Sequence, residues 1–302
     1  MKKVVTVAGA TGNLGERIIH ELVAQGAEVR AIVRESSDKL KVKNLEQMGV
    51  KVFTINTLDV AAVAKACEGA TCVVSALSGL HEVIIDAQKV LLDAAVAARV
   101  PRFIPSDYSL DFRKFKDGEN RNLDLRRIFH TYLDTQPIAA TTIFNGAFAD
   151  MLTNEMPMIL FDKKRILYWG DADHKMSFTT IADVARFTAH AALDDTTPRF
   201  LSIAGDQINP REVKNVMNDL TGQEFRFFHP GGQGLLGFII KVARTIAPAK
   251  NELYPAWQGM QYMHNMIDTR ADMPTLDNNR YPSLTWTTVK DVLTAHQKRS
   301  NA

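Results

Sequence analysis

The chain has 302 residues, of which 46% are hydrophobic and 23% charged, with a formal net charge of +2. That length can bury a large core in one domain or in two interleaved lobes. The balance is near neutral, no basic stripe suggests nucleic acid, and no acidic tail suggests disorder. The only two cysteines, Cys67 and Cys72, lie beside apolar strand patterns and are expected to be buried free thiols, not a disulfide or a metal site. No apolar run is long enough for a membrane span, and Lys241 and Arg244 interrupt the most apolar late stretch, Gly234 to Ile246. The first apolar run stops at a glycine turn before it could serve as a signal-peptide core, so the cytoplasm is the expected compartment.

In chain order, the first element is the apolar run Val4-Val5-Thr6-Val7-Ala8. It leads into Gly9-Ala10-Thr11-Gly12-Asn13-Leu14-Gly15, and Glu16 to Gln25 follows with a helical pattern. Strand, glycine turn and helix in this order suit a diphosphate. The first glycine permits the tight turn, Gly12 lets backbone approach the phosphates, and Gly15 lets the helix pack closely on the sheet. The helix N-terminus offers unpaired N–H groups and the positive end of its dipole. Gly9, Thr11, Gly12, Asn13, Leu14 and Gly15 are therefore candidate dinucleotide-binding residues.

Glu28 to Val33 reads as a second strand, and it ends on Arg34 where NAD-binding chains usually carry an acid for the ribose hydroxyls. A planar, permanently charged guanidinium suits a 2′-phosphate instead, with Ser36 and Lys39 as further donors. NADP(H) is expected over NAD(H). Strands are also expected at Lys51 to Ile55, Thr71 to Ser75, Arg102 to Pro105 and Ala140 to Phe144, with a long helix from about Leu80 to Ala98. The alternation predicts an α/β fold, a Rossmann-type doubly wound parallel sheet, with a smaller and partly interleaved C-terminal substrate lobe. The expected division is 1–150 for the dinucleotide-binding domain and 151–302 mostly for the substrate lobe, some segments returning to the sheet. Ligands of such sheets lie beyond the carboxyl ends of the strands. That rule nominates Ser75, Ala76 and Leu77, then Ser106 and Tyr108, then Asn145. The charged stretch from Ser109 to Arg121 lacks a period and is expected to be a long mobile loop over the cofactor crevice.

The second half is less regular. Helices are expected at Asn154 to Leu160, at Thr180 to Leu193 with a threonine cap, and from Pro210 to about Leu220. Short strands are expected at Ile166 to Trp169, Phe200 to Ile203 and Phe225 to Phe228. Gly231-Gly232-Gln233-Gly234 reads as a turn before a helix. Phe148, Met151, Trp169, Phe178, Trp257 and Tyr262 could together line a pocket for a flat apolar compound, although each alone fits ordinary packing. Asp171, Asp173 and His174 match no metal-ligand spacing, so no metal is expected.

The opening Val-Ala-Gly-Ala-Thr-Gly-Asn-Leu-Gly, the Val33-Arg34 ending, Phe103-Ile104-Pro105-Ser106-Asp107-Tyr108, Ile143-Phe144-Asn145-Gly146-Ala147-Phe148 and Arg126-Arg127 together resemble the NmrA-like, isoflavone-reductase-like group of atypical short-chain dehydrogenases/reductases. The similarity covers roughly the first 150 residues and, more weakly, Ser177 to Ala192. It implies NADPH-linked reduction of small aromatic or quinone-like compounds, although some relatives bind the dinucleotide as regulators and reduce nothing. From charge and hydropathy no nucleic-acid or membrane partner is expected, and a homodimer is left open. Two departures stand out. No tyrosine here is followed four residues later by lysine, and the lysine that the isoflavone-reductase branch carries four residues before its Arg-Arg pair is Asn122. Asparagine can donate a hydrogen bond but cannot transfer a proton.

Three accounts stay open. Another acid could serve, with Tyr108 first, then His130, then Lys114 or Lys116. Solvent could protonate the product of a quinone-like acceptor. The chain could sense the dinucleotide without catalysis. If catalysis holds, Asn122, Ser106 or Tyr108 orients the acceptor oxygen, and Asn122→Lys is expected to create or improve activity.

Overall fold

The structure is a computed structural model and describes residues 2–300. Its strands, in chain order, are β1 (Val4–Ala8), β2 (Glu28–Val33), β3 (Lys51–Thr54), β4 (Cys72–Ser75), β5 (Arg102–Ile104), β6 (Ala139–Ala140), β7 (Thr142–Phe144), β8 (Ala147–Phe148), β9 (Ile159–Leu160), β10 (Arg165–Leu167), β11 (Met176–Thr179), β12 (Phe200–Ser202), β13 (Asp206–Ile208) and β14 (Arg226–Phe228). The α-helices are α1 (Asn13–Ala24), α2 (Lys39–Gln47), α3 (Val60–Cys67), α4 (Gln88–Ala97), α5 (Arg121–Leu133), α6 (Ile181–Leu193), α7 (Pro210–Thr221), α8 (Gln233–Ile246), α9 (Ala256–Met266) and α10 (Val289–Ser300).

Contacts divide the chain into two units. The first comprises Met1–Tyr108, Leu125–Phe144 and Val184–Leu201, and the second Ser109–Asp124, Asn145–Asp183 and Ser202–Ala302. The first holds a six-stranded sheet in the order β3-β2-β1-β4-β5-β6, every pair parallel. The order reverses between β2-β1 and β4, which is the switch point of a Rossmann-type sheet. β1 is buried almost throughout because helices cover both faces of such a sheet. The alternating pattern of α1 buries Ile18, Ile19 and Leu22. Cys67 and Cys72 are free and buried, as expected, and burial pushes both thiols up to about 12. The expected strand 140–144 is two strands, since β6 pairs with β5 while β7 pairs with β12.

The helix expected over 80–98 opens with a π-helical turn, Glu82–Ala87, before α4. Gln88 accounts for the wider turn. Its N–H reaches back to the carbonyl of Val83, while its side-chain amide donates to the carbonyl of Ile84 at 3.2 Å. The other end of that amide accepts from the Ser106 N–H at 2.9 Å, so this fully buried side chain ties α4 to the end of β5.

In the second unit, β13-β11-β8 and β14-β10-β9 form two three-stranded sheets. The helix expected over 154–160 does not form. A 3₁₀ turn, Ala149–Thr153, precedes it and Ile159–Leu160 is strand, consistent with the break that Pro157 imposes. α6 and α7 lie where the pattern placed them. The Thr180 hydroxyl accepts the Asp183 N–H, and Asn209 and Glu212 form a reciprocal capping box. The stretch from Ser109 to Arg121 is not the unpacked loop its charges suggested. Leu110, Phe112 and Phe115 are buried, Lys114 reaches the carbonyl of Asp272, and Glu119 pairs with Arg270. Arg113, Lys114, Lys116 and Asp117 are exposed, Asp111 is buried against Arg113, and three hydrophobic side chains anchor the segment. No helix among the described residues is long and apolar enough to cross a membrane.

Candidate active site

The carboxyl ends of β1, β4 and β5 bring most of the expected residues of the first unit together. Gly9 has φ of +78°, and a Cβ there would lie 2.4 Å from the carbonyl oxygen of Ala76. A Cβ on Gly15 would lie 2.1 Å from the carbonyl oxygen of Gly9. Both positions therefore exclude every side chain, and the turn is as tight as the strand-turn-helix motif requires. Gly12 caps α1 with no side-chain hydrogen bond, whereas α2 and α3 are capped by the carboxylates of Asp38 and Asp59. The first turn of α1 keeps its N–H groups for a ligand.

Register fixes what faces this turn. Ala8 pairs with Ser75, and the Ala76 N–H donates to the Ala8 carbonyl at 2.9 Å, so Ala76 and Leu77 lie against the glycine turn. Ser75 is fully buried and its hydroxyl has no partner. The Ser106 hydroxyl donates to the Leu77 carbonyl at 2.6 Å, and Arg126 Nε donates to the Ser106 carbonyl at 3.2 Å. Arg34, Ser36 and Lys39 are exposed beyond β2, where a turn is closed by the Ser37 hydroxyl accepting the Arg34 N–H at 3.1 Å. Lys41 was missed in the sequence. Its Nζ donates to the Thr11 carbonyl at 2.9 Å and lies 3.9 Å from Glu16, which places an ammonium on the glycine turn itself. Lys39, Lys41 and Lys43 alternate in the sequence, and only the start of α2 at the Asp38 cap decides which of them faces the turn.

Of the expected proton donors, Lys114 reaches the Asp272 carbonyl, and Tyr108 and His130 are buried. Tyr108 is buried with its hydroxyl beside that of Thr188, and burial pushes the phenol well above its ordinary value. His130 is buried. Its Nε2 lies 2.6 Å from Asp107 and its Nδ1 lies 3.2 Å from Arg199. An arginine N–H can only donate, so Nδ1 accepts and Nε2 gives its hydrogen to the carboxylate. Thr142 adds a second donor to Asp107 at 2.7 Å. Burial works against ionisation of Asp107, but His130, Thr142 and Arg126 outweigh it and hold the carboxyl below its usual value. These groups form a structural network.

Asn122 and Asn145 belong to the second unit. Both arms of the Asn122 amide are engaged, Nδ2 with the Leu253 carbonyl at 3.1 Å and Oδ1 with Arg121 Nε at 3.0 Å. A lysine at this buried position would bring an ammonium against the Arg121 guanidinium, so the gain of activity expected of Asn122→Lys has no support in the geometry. Asn145 is fully buried, and its Oδ1 has no partner. Of the candidate aromatics, Phe178 is core and Trp257 is covered by the guanidinium of Arg121. Trp169 lines, with Tyr168, Met176 and Met263, a cavity of about 10 Å³, room for at most one water. Asp173 is paired with Arg211, and His174 Nε2 lies 3.1 Å from the Met266 carbonyl.

Sheet order and glycine turn define a Rossmann-type α/β protein. The chain belongs to the NmrA-like family, whose model matches residues 1–264. It is 25% identical over 230 residues to pinoresinol reductase 1 of Arabidopsis thaliana, covering 72% of this chain and 71% of that one. It is 26% identical over 252 residues to isoflavone reductase homolog P3 of the same plant, covering 78% and 80%. Among solved structures, an isoflavone reductase superposes with a TM-score of 0.82 at 19% identity, over 98% of this chain and 99% of that one. The leucoanthocyanidin reductase of Vitis vinifera, in a binary complex with NADPH, superposes with a TM-score of 0.79 at 17% identity, over 97% and 99%.

Proposed function

We propose that this chain is an NADPH-dependent reductase that delivers hydride to a small aromatic or quinone-like acceptor. The observation that carries the reading is the glycine turn, where two positions admit no Cβ and an uncapped helix start keeps its N–H groups for an anion. Residues on this chain fit the dinucleotide. Gly9, Thr11, Gly12, Asn13, Leu14 and Gly15 would hold the diphosphate. Arg34, with Ser36 and Lys39, would take the 2′-phosphate, Lys41 would hold the glycine turn in place, and Ser75, Ala76 and Leu77 would serve the nicotinamide end. The partnerless hydroxyl of Ser75 is a buried polar atom that a ligand would satisfy. When bound, the dinucleotide supplies the hydride, and the protein supplies position and electrostatics. Relatives named as reductases of pinoresinol and as isoflavone reductase homologs support the reaction class.

Proton supply narrows the acceptor. Asn122 is a neutral amide, Tyr108 is buried with a raised pKa, and both ring nitrogens of His130 are engaged. General acid catalysis is worth about 10²–10⁴-fold, so a site without it favours an intrinsically reactive acceptor whose product solvent can protonate. A quinone fits that description. The same residues favour a second reading, a non-catalytic NADP(H)-sensing protein that acts through a partner. Loss of NADPH absorbance across a panel of quinones and aromatic aldehydes separates the two. Turnover with any of them supports the reductase. Tight binding of NADP⁺ without turnover on the whole panel overturns it in favour of the sensor.

A further inference from the structure

α4 opens on a polar residue in an apolar face. Its buried residues are Gln88, Leu91, Leu92, Ala94 and Ala95, and Gln88 is fully buried. The π-helical turn before it accounts for the amide. The Gln88 N–H bonds to the carbonyls of Val83 and Ile85 and passes over Ile84, the partner that a regular α-turn would use. The Ile84 carbonyl is thereby freed, and Gln88 Nε2 takes it at 3.2 Å. That bond fixes the amide. A carbonyl only accepts, so Nε2 lies there, and Oε1 faces the Ser106 N–H, which only donates, at 2.9 Å.

From Ser106 the bonds run on to the backbone beside the glycine turn. The Ser106 hydroxyl donates to the Leu77 carbonyl at 2.6 Å, and Arg126 Nε holds the Ser106 carbonyl at 3.2 Å. The segment that carries Leu77 is closed in on two further sides. A Cβ on Gly9 would lie 2.4 Å from the Ala76 carbonyl oxygen, and one on Gly79 would lie 2.4 Å from Cγ2 of Val83 in the π-helical turn. Gly79 thus seats the segment directly on that turn. Ala76 and Leu77 are half-buried and Ser78 is exposed, so the segment reaches the surface there. All these residues belong to the first unit. Single π-helical turns within α-helices occur frequently at functional sites.

We infer that Gln88 is a positioning residue for the nicotinamide end of the cofactor site: it holds Ser106 in place and, through the Ser106 hydroxyl, fixes the Leu77 backbone against which the ring would lie. Gln88 touches no ligand itself and acts through two hydrogen bonds in series. Without its amide, the Ser106 N–H and the Ile84 carbonyl are buried and unpartnered, so the end of β5 shifts to satisfy them and the Leu77 carbonyl moves with it. The adenosine end, at Arg34 beyond β2, has no bond in this series. The inference rests on the reductase reading above, since it concerns the ring of that cofactor.

The test compares NADP⁺ with adenosine 2′,5′-bisphosphate, which keeps the adenosine and its 2′-phosphate but has no nicotinamide, by calorimetry on the full chain. In Gln88→Met, NADP⁺ is expected to bind about tenfold more weakly than to the unaltered protein, while the bisphosphate changes by less than about twofold. A role confined to stability would lower the thermal midpoint and leave the two ligands affected alike. Ser106→Ala cuts the series one bond further on without altering α4, and it carries the test if Gln88→Met does not fold. It is expected to show the same selective loss, and the double variant to add nothing to Gln88→Met. Equal losses of both ligands, or full NADP⁺ affinity in either folded variant, overturns the inference, and so does an additive double variant. If the unaltered chain binds neither ligand, the cofactor reading falls and this one with it. If it binds both and reduces quinones while the variants show no selective loss, that reading stands and the role of Gln88 alone falls.

Discussion

Arg34 and Lys41 have surroundings that assign them different work. The Arg34 guanidinium is exposed beyond β2, whereas the Lys41 ammonium is bonded to the Thr11 carbonyl. Arg34→Ala is expected to weaken NADPH by about 1.5–3 kcal/mol, the range for a charge-assisted hydrogen bond, and to leave NADH nearly unchanged. Lys41→Ala loosens the turn itself, so it is expected to weaken both dinucleotides, by about 1 kcal/mol. Paired titrations of each variant with NADPH and NADH check this, and an equal loss of both cofactors in Arg34→Ala would refute the 2′-phosphate assignment. Asp107 carries a second prediction. Its carboxyl is held below the ordinary value in the folded chain by His130, Thr142 and Arg126, against the opposing effect of burial. A depressed folded pKa contributes stability above the unfolded value of about 3.9, and that contribution is lost as pH falls through the folded value. Asp107→Asn is expected to cost about 1.5–3 kcal/mol at neutral pH, because it weakens the hydrogen bonds that His130 and Thr142 give to a charged acceptor. Denaturant midpoints of the two proteins should converge as pH drops below about 4. A gap that stays constant into acid contradicts the role given to this carboxylate.

At the level of elements, close approach and open space separate two glycines that look alike in the sequence. Gly15 sits in the first turn of α1 with no room for a Cβ, while Gly259 lies inside α9 with nothing within 4 Å of where a Cβ would be. Gly15→Ala is expected to destabilise by at least about 1–3 kcal/mol, the usual cost of overpacking, and to weaken dinucleotide binding. Gly259→Ala is expected to stabilise by about 0.5–1 kcal/mol, since alanine is the better helix residue and meets no clash. Chemical denaturation of both variants reads the two signs directly. Only the first of these sites was legible in the sequence, because its glycines sat between a strand pattern and a helix pattern. β1 to β4 were legible for the same reason, being long enough to show a period. β8, β9 and β13 were not, since strands of two or three residues carry no period and are set by their neighbours. Ser109 to Arg121 misled because charge dominates its composition, while Leu110, Phe112 and Phe115 decide its placement. Gln88 left only a place in a helix pattern, since the carbonyl that its amide takes is freed by a π-helical turn that no period shows.

For the molecule as a whole, the sheet pattern suggested a boundary near residue 150, and the distribution of buried groups tests whether a cut there leaves a folding unit. The first unit draws on Val184–Leu201, well past that boundary. Arg102 shows why. It is 6% exposed, and its guanidinium donates to the carbonyls of Ala191, at 2.9 Å, and Asp194 and to the hydroxyl of Thr197. It thus caps the carboxyl end of α6, where the helix dipole favours a cation. Val184, Phe187 and Ala191 on α6 are fully buried, and Phe200 stacks on Phe144 with centroids 6.0 Å apart. A fragment of residues 1–150 keeps the glycine turn and every candidate cofactor residue named above, yet it removes the Ala191, Asp194 and Thr197 acceptors of Arg102 and uncovers Phe144 together with the surface that Val184, Phe187 and Ala191 bury. Fully burying a Val or Phe side chain is worth about 1.5–3 kcal/mol, so losing Val184 and Phe187 alone takes a large share of the roughly 5–15 kcal/mol that holds a typical domain folded. The fragment is therefore expected to show no cooperative thermal transition and no binding of NADP⁺, while the full chain shows both. In the full chain, NADP⁺ at 100 times its Kd should stabilise the fold by about 2.7 kcal/mol. A fragment that melts cooperatively and binds NADP⁺ as the full chain does would mean that the turn and the sheet suffice, and that α6 contributes little to the cofactor unit.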